Sequence, residues 1–335
     1  MSPAPRVPWQ AKYLALALIW GSSFLLMKIG LESLHPVQIA TLRLVAGTAT
    51  ILVLLWGRGG SLPTERRTWA HLVVTGVFLG ALPFTLFALS ETRISSALAG
   101  IGNASTPIAT VLMTMLMMPG TRTSRPKLAA VLVGFLGVIT IMQPWNDARP
   151  DLVGFAMALA GGASYGVGWT YNRRFLAGAD LGGLSQPAAT LLMGTVVMLP
   201  LAVVWGLAQD VGVSSLWAYD TARLGTSALD AGHTGGGWAW LPLVCVLVLG
   251  AVGTGAAYIL LFDVVRAAGA VVGSTITYLI PVVSVLLGVA LLGESLGIWE
   301  LAGFVIVLAA AGVINAPERA PAAEETAAAP EALRT

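Results

Sequence analysis

Apolar residues run along this chain in long continuous blocks separated by short polar breaks, without the period-two alternation of strands. Ten blocks come near the ~20 residues that an α-helix needs to cross a bilayer. They lie at roughly 10–30, 36–56, 70–90, 95–117, 126–143, 151–171, 184–206, 238–262, 268–291 and 298–315. Continuous rather than alternating hydrophobicity predicts spanning helices and not a β-barrel. Short linkers make sequential helices antiparallel neighbours. Two stretches break the pattern. The segment at about 207–237 is long and polar, carries Asp210, Asp220, Asp230 and the run Gly235-Gly236-Gly237, and predicts an external loop. From Pro317 the chain is rich in Ala, Pro and Glu with no apolar face, which predicts a disordered tail.

The blocks repeat. Arg93-Ile-Ser-Ser-Ala97-Leu-Ala-Gly100 is followed by an apolar run holding Pro107 and by Gly137-Val138-Ile139. Arg266-Ala-Ala-Gly-Ala270-Val-Val-Gly273 is followed by a run holding Pro281 and by Gly312-Val313-Ile314, at an offset drifting only from 173 to 175. Two membrane halves with proline-interrupted helices at matching positions point to a transport site near the midplane.

Composition fixes the solvent. Hydrophobic residues make up 56% and charged residues 10%, against roughly a quarter charged in soluble domains. A formal charge of +2 gives no reason to expect a nucleic-acid partner, and the single Cys245 gives no disulfide framework. Lys28 ends the first block and no small-residue cleavage site follows, so this block reads as a span and not a signal peptide.

Charge placement sets topology. With a cytoplasmic amino terminus and ten spans, inside loops hold 13 Lys and Arg residues and outside loops hold 4: Lys28, Arg93, Arg149 and Arg223. Both termini are then cytoplasmic, in a plasma membrane. Five spans per half is odd, so the halves are inverted. The expected fold is an all-α integral membrane protein of ten transmembrane helices in two inverted five-helix repeats. Its parts are a cytoplasmic segment 1–9, a first repeat 10–145, a second repeat 150–316 and a cytoplasmic tail 317–335.

Candidate chemistry gathers at the breaks. Proline within a helix frees the carbonyl four residues earlier, so Pro107 frees that of Asn103 and Pro281 that of Thr277. Ser105, Thr106, Ser274, Thr275 and Tyr278 flank these positions. The expectation is a polar pocket between the repeats, as against two proline kinks backed by hydroxyls. Trp20, Ser23 and Phe24 align with Gly161, Ser164 and Tyr165, and Trp169 and Asn172 follow. Aromatic and small polar groups together suit an amphipathic metabolite, although such aromatics also serve as helix packing. Gly154, Ala158, Gly162 and Gly166 put a small residue at every fourth position of one helix, the signature of close packing.

Arg43 is the one charge clearly inside a span, roughly 10 Å from its outer end. At a helix centre it costs about 2.5–3.5 kcal/mol on insertion scales, so it is expected to face inward as a partner for polar groups or for substrate carboxylates. Lys28, Glu91, Arg93, Asp263 and Arg266 read as solvated charges at span ends, with Glu91–Arg93 and Asp263–Arg266 spaced to pair. No Asp, Glu or His falls mid-span, which points to facilitated diffusion or exchange.

Gly162-Ala163-Ser164-Tyr165-Gly166 fits a serine-hydrolase pattern without its strand–turn–helix context. No H-E-x-x-H, P-loop or paired-Cys metal motif occurs. Hence no enzyme, no catalytic residue, no metal and no cofactor is expected.

Ala-Leu-Ile-Trp20-Gly21-Ser22-Ser23-Phe24-Leu-Leu-Met-Lys28, Pro36 with Ile39-Ala-Thr-Leu-Arg43, Tyr278-Leu-Ile-Pro281-Val-Val, Leu292-Gly293-Glu294 and Leu301-Ala-Gly303 together resemble the ten-helix EamA-type family of the drug/metabolite transporter superfamily. The resemblance covers about 10–316. It implies inverted repeats, a central cavity and export of small metabolites. Pro119-Gly120-Thr121 stands where that family tends to carry Gly-Glu, so Glu294 lacks its first-half counterpart.

The sequence thus reads as a secondary carrier of small amino-acid-like or amphiphilic, drug-like compounds, using alternating access and exporting. A membrane receptor or scaffold that binds a ligand without moving it is the alternative. The expected partners are a small-molecule substrate and the lipid bilayer, with monomer and homodimer both open. The expected lining is Trp20, Ser23, Phe24, Arg43, Asn103, Thr106, Pro107, Tyr165, Trp169, Asn172, Thr277, Tyr278 and Pro281.

Overall fold

A computed structural model describes residues 7–94, 96–120, 124–146, 151–179, 181–208, 240–292 and 297–315, and among them every regular element is helical. The helices are α1 (Trp9–Gly21), α2 (Ser23–Gly30), α3 (Pro36–Gly57), α4 (Arg66–Gly76), α5 (Leu82–Ser90), α6 (Ser96–Ala104), α7 (Thr106–Met117) and α8 (Arg125–Met142). They continue as α9 (Leu152–Phe175), α10 (Ser185–Ala208), α11 (Leu241–Gly250), α12 (Ala257–Ala268), α13 (Ala270–Ser274), α14 (Ile276–Leu292) and α15 (Ile298–Asn315). Residues 207 and 208 of the expected external loop close α10, and Asn146 of the expected half boundary ends a short 3-10 turn; the rest of both, Glu294 and the tail from 317 lie outside the described residues.

Seven helical runs among the described residues are long and apolar enough to cross a membrane: Trp9–Gly30, Pro36–Gly57, Arg66–Ser90, Arg125–Met142, Leu152–Phe175, Ser185–Ala208 and Leu241–Ala268. The remaining apolar blocks hold α6 with α7, α13 with α14, and α15. Large apolar side chains such as Leu25, Val53, Leu116, Leu136, Val204 and Val305 face outward, as a lipid-exposed surface requires. This is a multi-pass membrane protein.

Two of the longest runs are not uniform α-helix. A π-turn at Val77–Ala81 joins α4 to α5, and another at Ala251–Ala256 joins α11 to α12. Their starts are 174 residues apart, the offset of the sequence repeat. The eighth block runs to Ala268, six residues past its expected end, and only Gly269 separates it from α13. Gly269 takes φ +89, a conformation that residues with a Cβ rarely adopt.

Small residues set the closest contacts. The stripe on α9 lies against α6 and α7: a Cβ on Gly162 would meet the Gly102 carbonyl oxygen at 2.3 Å, and one on Gly166 the Ala109 backbone at 2.7 Å. Gly137 and Gly303 likewise let α8 and α15 touch, and Gly76 meets α10 at Gly194. The stripe is a packing surface.

Candidate functional site

The two broken helices meet the first, third and ninth helices around a central cavity. At the first break the chain turns at Ser105, whose Oγ donates to the Gly102 carbonyl at 2.6 Å. Thr106 Oγ1 donates to the Asn103 carbonyl at 2.7 Å and to that of Gly162 at 3.1 Å. At the second break Thr275 Oγ1 donates to the Val272 carbonyl at 2.7 Å, and Thr277 Oγ1 to that of Ser274 at 2.9 Å. Hydroxyls bonded back along a helix bend it. Both breaks are therefore held by side-chain hydroxyls.

The cavity leaves about 50 Å³, space for a few waters at ~10–15 Å³ each. Trp20, Phe24, Phe87, Tyr165 and Trp169 supply its aromatic wall, with Arg43, Asn103, Thr106, Ser23, Ser274 and Thr277 as polar groups. Phe87 is central to that wall: its ring lies 5.8 Å from Phe24, edge to face, and 6.2 Å from Tyr165, stacked.

The second π-turn feeds this site. Trp20 Nε1 donates to the Gly253 carbonyl at 2.9 Å, and Arg43 Nε to Thr254 Oγ1 at 2.8 Å. Across from it, the Tyr258 hydroxyl donates to the Leu79 carbonyl of the first π-turn. The widened turns leave carbonyls and hydroxyls for side chains to use.

A wider cavity of about 860 Å³ adjoins the central one, since Val272 lines the first and Gly273 the second. Its charged lining residues are Lys127, Arg173 and Arg266, and Asn172, Gln186 and Thr114 add polar groups. The Gln186 amide nitrogen donates to the Asn172 side-chain oxygen at 2.8 Å. At this end Asp263 meets Lys12 at 2.5 Å and Arg266 at 3.0 Å. At the other end Arg93 pairs with Asp151 at 3.1 Å, and Lys28 Nζ donates to the Glu91 backbone carbonyl at 3.1 Å. Lys12 and Arg266 are therefore linked at one end of the molecule, and Lys28 and Arg93 lie together at another.

The EamA-like transporter family matches this chain twice, over residues 9–143 and 152–316. The chain belongs to the EamA-like transporter family. The inner membrane transporter YedA of Escherichia coli strain K12 is 26% identical over 297 residues, covering 88% of this chain and 87% of YedA. The transporter YwfM of Bacillus subtilis strain 168 is 25% identical over 319 residues, covering 94% and 96%. A crystal structure superposes with a TM-score of 0.66 at 17% identity, covering 91% of this chain and 96% of that one, and so shares the fold.

Within this EamA-like protein, nine of the thirteen expected residues line the central cavity: Trp20, Ser23, Phe24, Arg43, Asn103, Thr106, Tyr165, Trp169 and Thr277. Asn172 lines the wide cavity instead. Tyr278 turns away from both. It is 0% exposed, and its hydroxyl donates to the Val131 carbonyl at 2.6 Å. Pro107 sits in the first turn of α7 and lines neither cavity. Pro281 lies inside α14, six residues past the break at Thr275, and also lines neither. A hydroxyl cluster bends that helix where a proline was expected to.

The charge pairing needs one correction. Asp263–Arg266 forms, but Glu91–Arg93 does not, because Arg93 reaches Asp151. Glu91 is 1% exposed, with the Ser96 hydroxyl the side chain set closest against its carboxylate. It is a buried group and not a solvated interface charge, and Lys28 of α2 donates to its backbone carbonyl. The lining also includes Met27, Phe87, Leu261, Gly273, Ile276 and Ile280. These are ordinary residues of apolar blocks, and no signal in the sequence distinguishes them.

Proposed function

We propose that this protein is a secondary carrier of small organic metabolites that works by alternating access around the central cavity. Membership of a transporter family supports movement of a substrate across the bilayer. The observation that carries the mechanism is the pairing of a narrow, aromatic central cavity with a wide cavity at one end only a residue away. A site narrow at the centre and broad toward one face is the form of a carrier open to one side. The paired π-turns and hydroxyl-held breaks, set close to the repeat offset, supply two related halves that can rock against each other.

On this reading the fold comprises ten spans in two inverted repeats, 10–145 and 150–316. The arginine-rich end and both termini face the cytoplasm, and substrate is taken from that side for export. The cavity-lining residues named above, with Asn172 at the mouth, bind substrate. Central walls this close must part to admit a metabolite, so substrate binding and side-chain movement are coupled.

The test is flux. The purified protein in proteoliposomes should move at least one labelled member of a metabolite panel, with saturation and counterflow. Ligands that stabilise the protein but never cross would overturn the carrier reading in favour of a receptor.

A further inference from the structure

Arg43 is only 7% exposed and, among the described residues, is the single charged one lining the central cavity. Its Nε donates to the Thr254 hydroxyl, and its guanidinium carbon lies 3.8 Å from the centre of the Phe84 ring. Both partners are neutral. Among the described residues no carboxylate pairs with it, and its terminal nitrogens have no hydrogen-bond acceptor. Glu91 does not line this cavity and forms no ion pair with Arg43; its buried carboxylate acts on the guanidinium only through space, as the weakest of the influences on it.

A guanidinium holds its charge in proteins, and a buried charge without a counter-ion is costly. Its planar fork suits a carboxylate or phosphate, bound through two parallel hydrogen bonds. The Asn103 side-chain oxygen, in the same cavity, also has no partner. The site therefore lacks an anion and one further polar contact, beside an aromatic wall.

The approach has the same sign. Lys127, Arg173 and Arg266 line the wide cavity and, among the described residues, no carboxylate does; Asp263 nearby is taken up by Lys12 and Arg266. Cytoplasmic loops favour positive charge in any case, so the mouth alone would decide nothing. Arg43 lies within a span, and that bias does not account for it. A cationic substrate would meet like charge at the mouth and again at the centre.

We propose that the substrates are organic anions, each with a carboxylate or equivalent group on an apolar, largely aromatic body, and that Arg43 holds the anionic group. The proposal rests on the carrier reading above, and the test separates the two. The probes share one skeleton: phenylacetate, phenylacetamide and phenethylammonium. Each is added to the purified full-length protein for thermal unfolding, and each is assayed for flux in proteoliposomes.

Phenylacetate should raise the melting temperature while the amide and the ammonium compound do not. Arg43→Gln should weaken that response about tenfold or more, the size expected for losing a charge-assisted hydrogen-bond pair. Arg43→Lys should keep part of it. Stabilisation by phenethylammonium or phenylacetamide equal to that by phenylacetate would overturn the proposal. So would no response to phenylacetate, or a response that survives Arg43→Gln. The wild-type comparison needs no variant to fold. Flux of the amide or the ammonium compound without phenylacetate flux would sink the anion assignment and leave the carrier reading standing. Phenylacetate that stabilises through Arg43 without crossing would do the reverse.

Discussion

Thr277 and Tyr278 are neighbours in sequence with opposite surroundings. Thr277 lines the central cavity, whereas the Tyr278 hydroxyl is spent on the Val131 carbonyl of α8. Tyr278→Phe should lower stability by about 1 kcal/mol, the net worth of one hydrogen bond, and leave the KM for transport unchanged. Thr277→Val should raise KM and also lower stability by about 1 kcal/mol, because the Ser274 carbonyl loses its donor at the break. Melting curves and flux titrations on both variants check this, and a raised KM in Tyr278→Phe would place that ring in the substrate path. Asp151 makes a different residue-scale prediction. It caps α9 by accepting from the backbone N–H groups of Val153 and Gly154 at 2.8 and 2.9 Å. The Gly154 bond, with Arg93 adding, holds its carboxyl below the usual range. A depressed value stabilises the fold above the ordinary carboxylate range and loses that contribution as pH falls through it. Asp151→Asn keeps a capping oxygen without the charge, so its melting-temperature deficit at pH 7 should close on acidification. Arg43 was legible in the sequence because a charge interrupts an apolar block. Phe87 was not, because a phenylalanine in such a block is silent about which way it faces.

At the scale of elements, the sequence marked where helices break better than how they break. Pro107 and Pro281 drew attention to the right two helices. Yet Pro107 occupies the first turn of α7, where its missing N–H has no intrahelical partner to lose, and Thr275 precedes Pro281 by six residues. The signal that could have located the breaks is the clustering of Ser105 with Thr106 and of Ser274, Thr275 and Thr277. Their hydroxyls fold back on carbonyls three residues earlier. Pro107→Ala should therefore keep flux within about twofold of wild type, since propensity alone favours alanine beyond the first turn. Thr106→Val should cut it several-fold, because the Asn103 and Gly162 carbonyls lose their shared donor and a freed carbonyl away from water is costly. Equal flux in wild type and Thr106→Val would show that the hydroxyl is incidental to the break. The π-turns left no legible trace. Val-Phe-Leu-Gly-Ala and Ala-Val-Gly-Thr-Gly-Ala continue the apolar pattern of their blocks, and one extra residue per turn shifts the face a helix presents without changing its hydrophobicity.

For the whole molecule, hydrophobic blocks predicted helices close to their observed bounds, because a spanning helix must satisfy its backbone internally and shows this as continuous apolar length. The count of Lys and Arg then sorted loops into two groups, and the ion pairs Lys12–Asp263 and Arg93–Asp151 each join members of one group. Which end faces the cytoplasm follows only from the positive-inside bias, and that is open to direct measurement. Thr92 is exposed beside Glu91, and Gly182 is exposed at the wide cavity, where an added Cβ meets nothing within 4 Å. With the buried Cys245 replaced, Thr92→Cys should react with an impermeant thiol reagent on intact cells. Gly182→Cys should stay unreacted there and react in inverted membrane vesicles. The reverse pattern would overturn the orientation and, with it, the direction of approach through the arginine-lined cavity. Alternating access makes a further demand on Met27, which lines the central cavity and is almost fully buried. If the halves rock, Met27→Cys should be reached from the Gly182 side at rest and from the Thr92 side during substrate exchange. Reaction from the Gly182 side alone under both conditions would describe a pocket with one mouth, and no carrier can work through that.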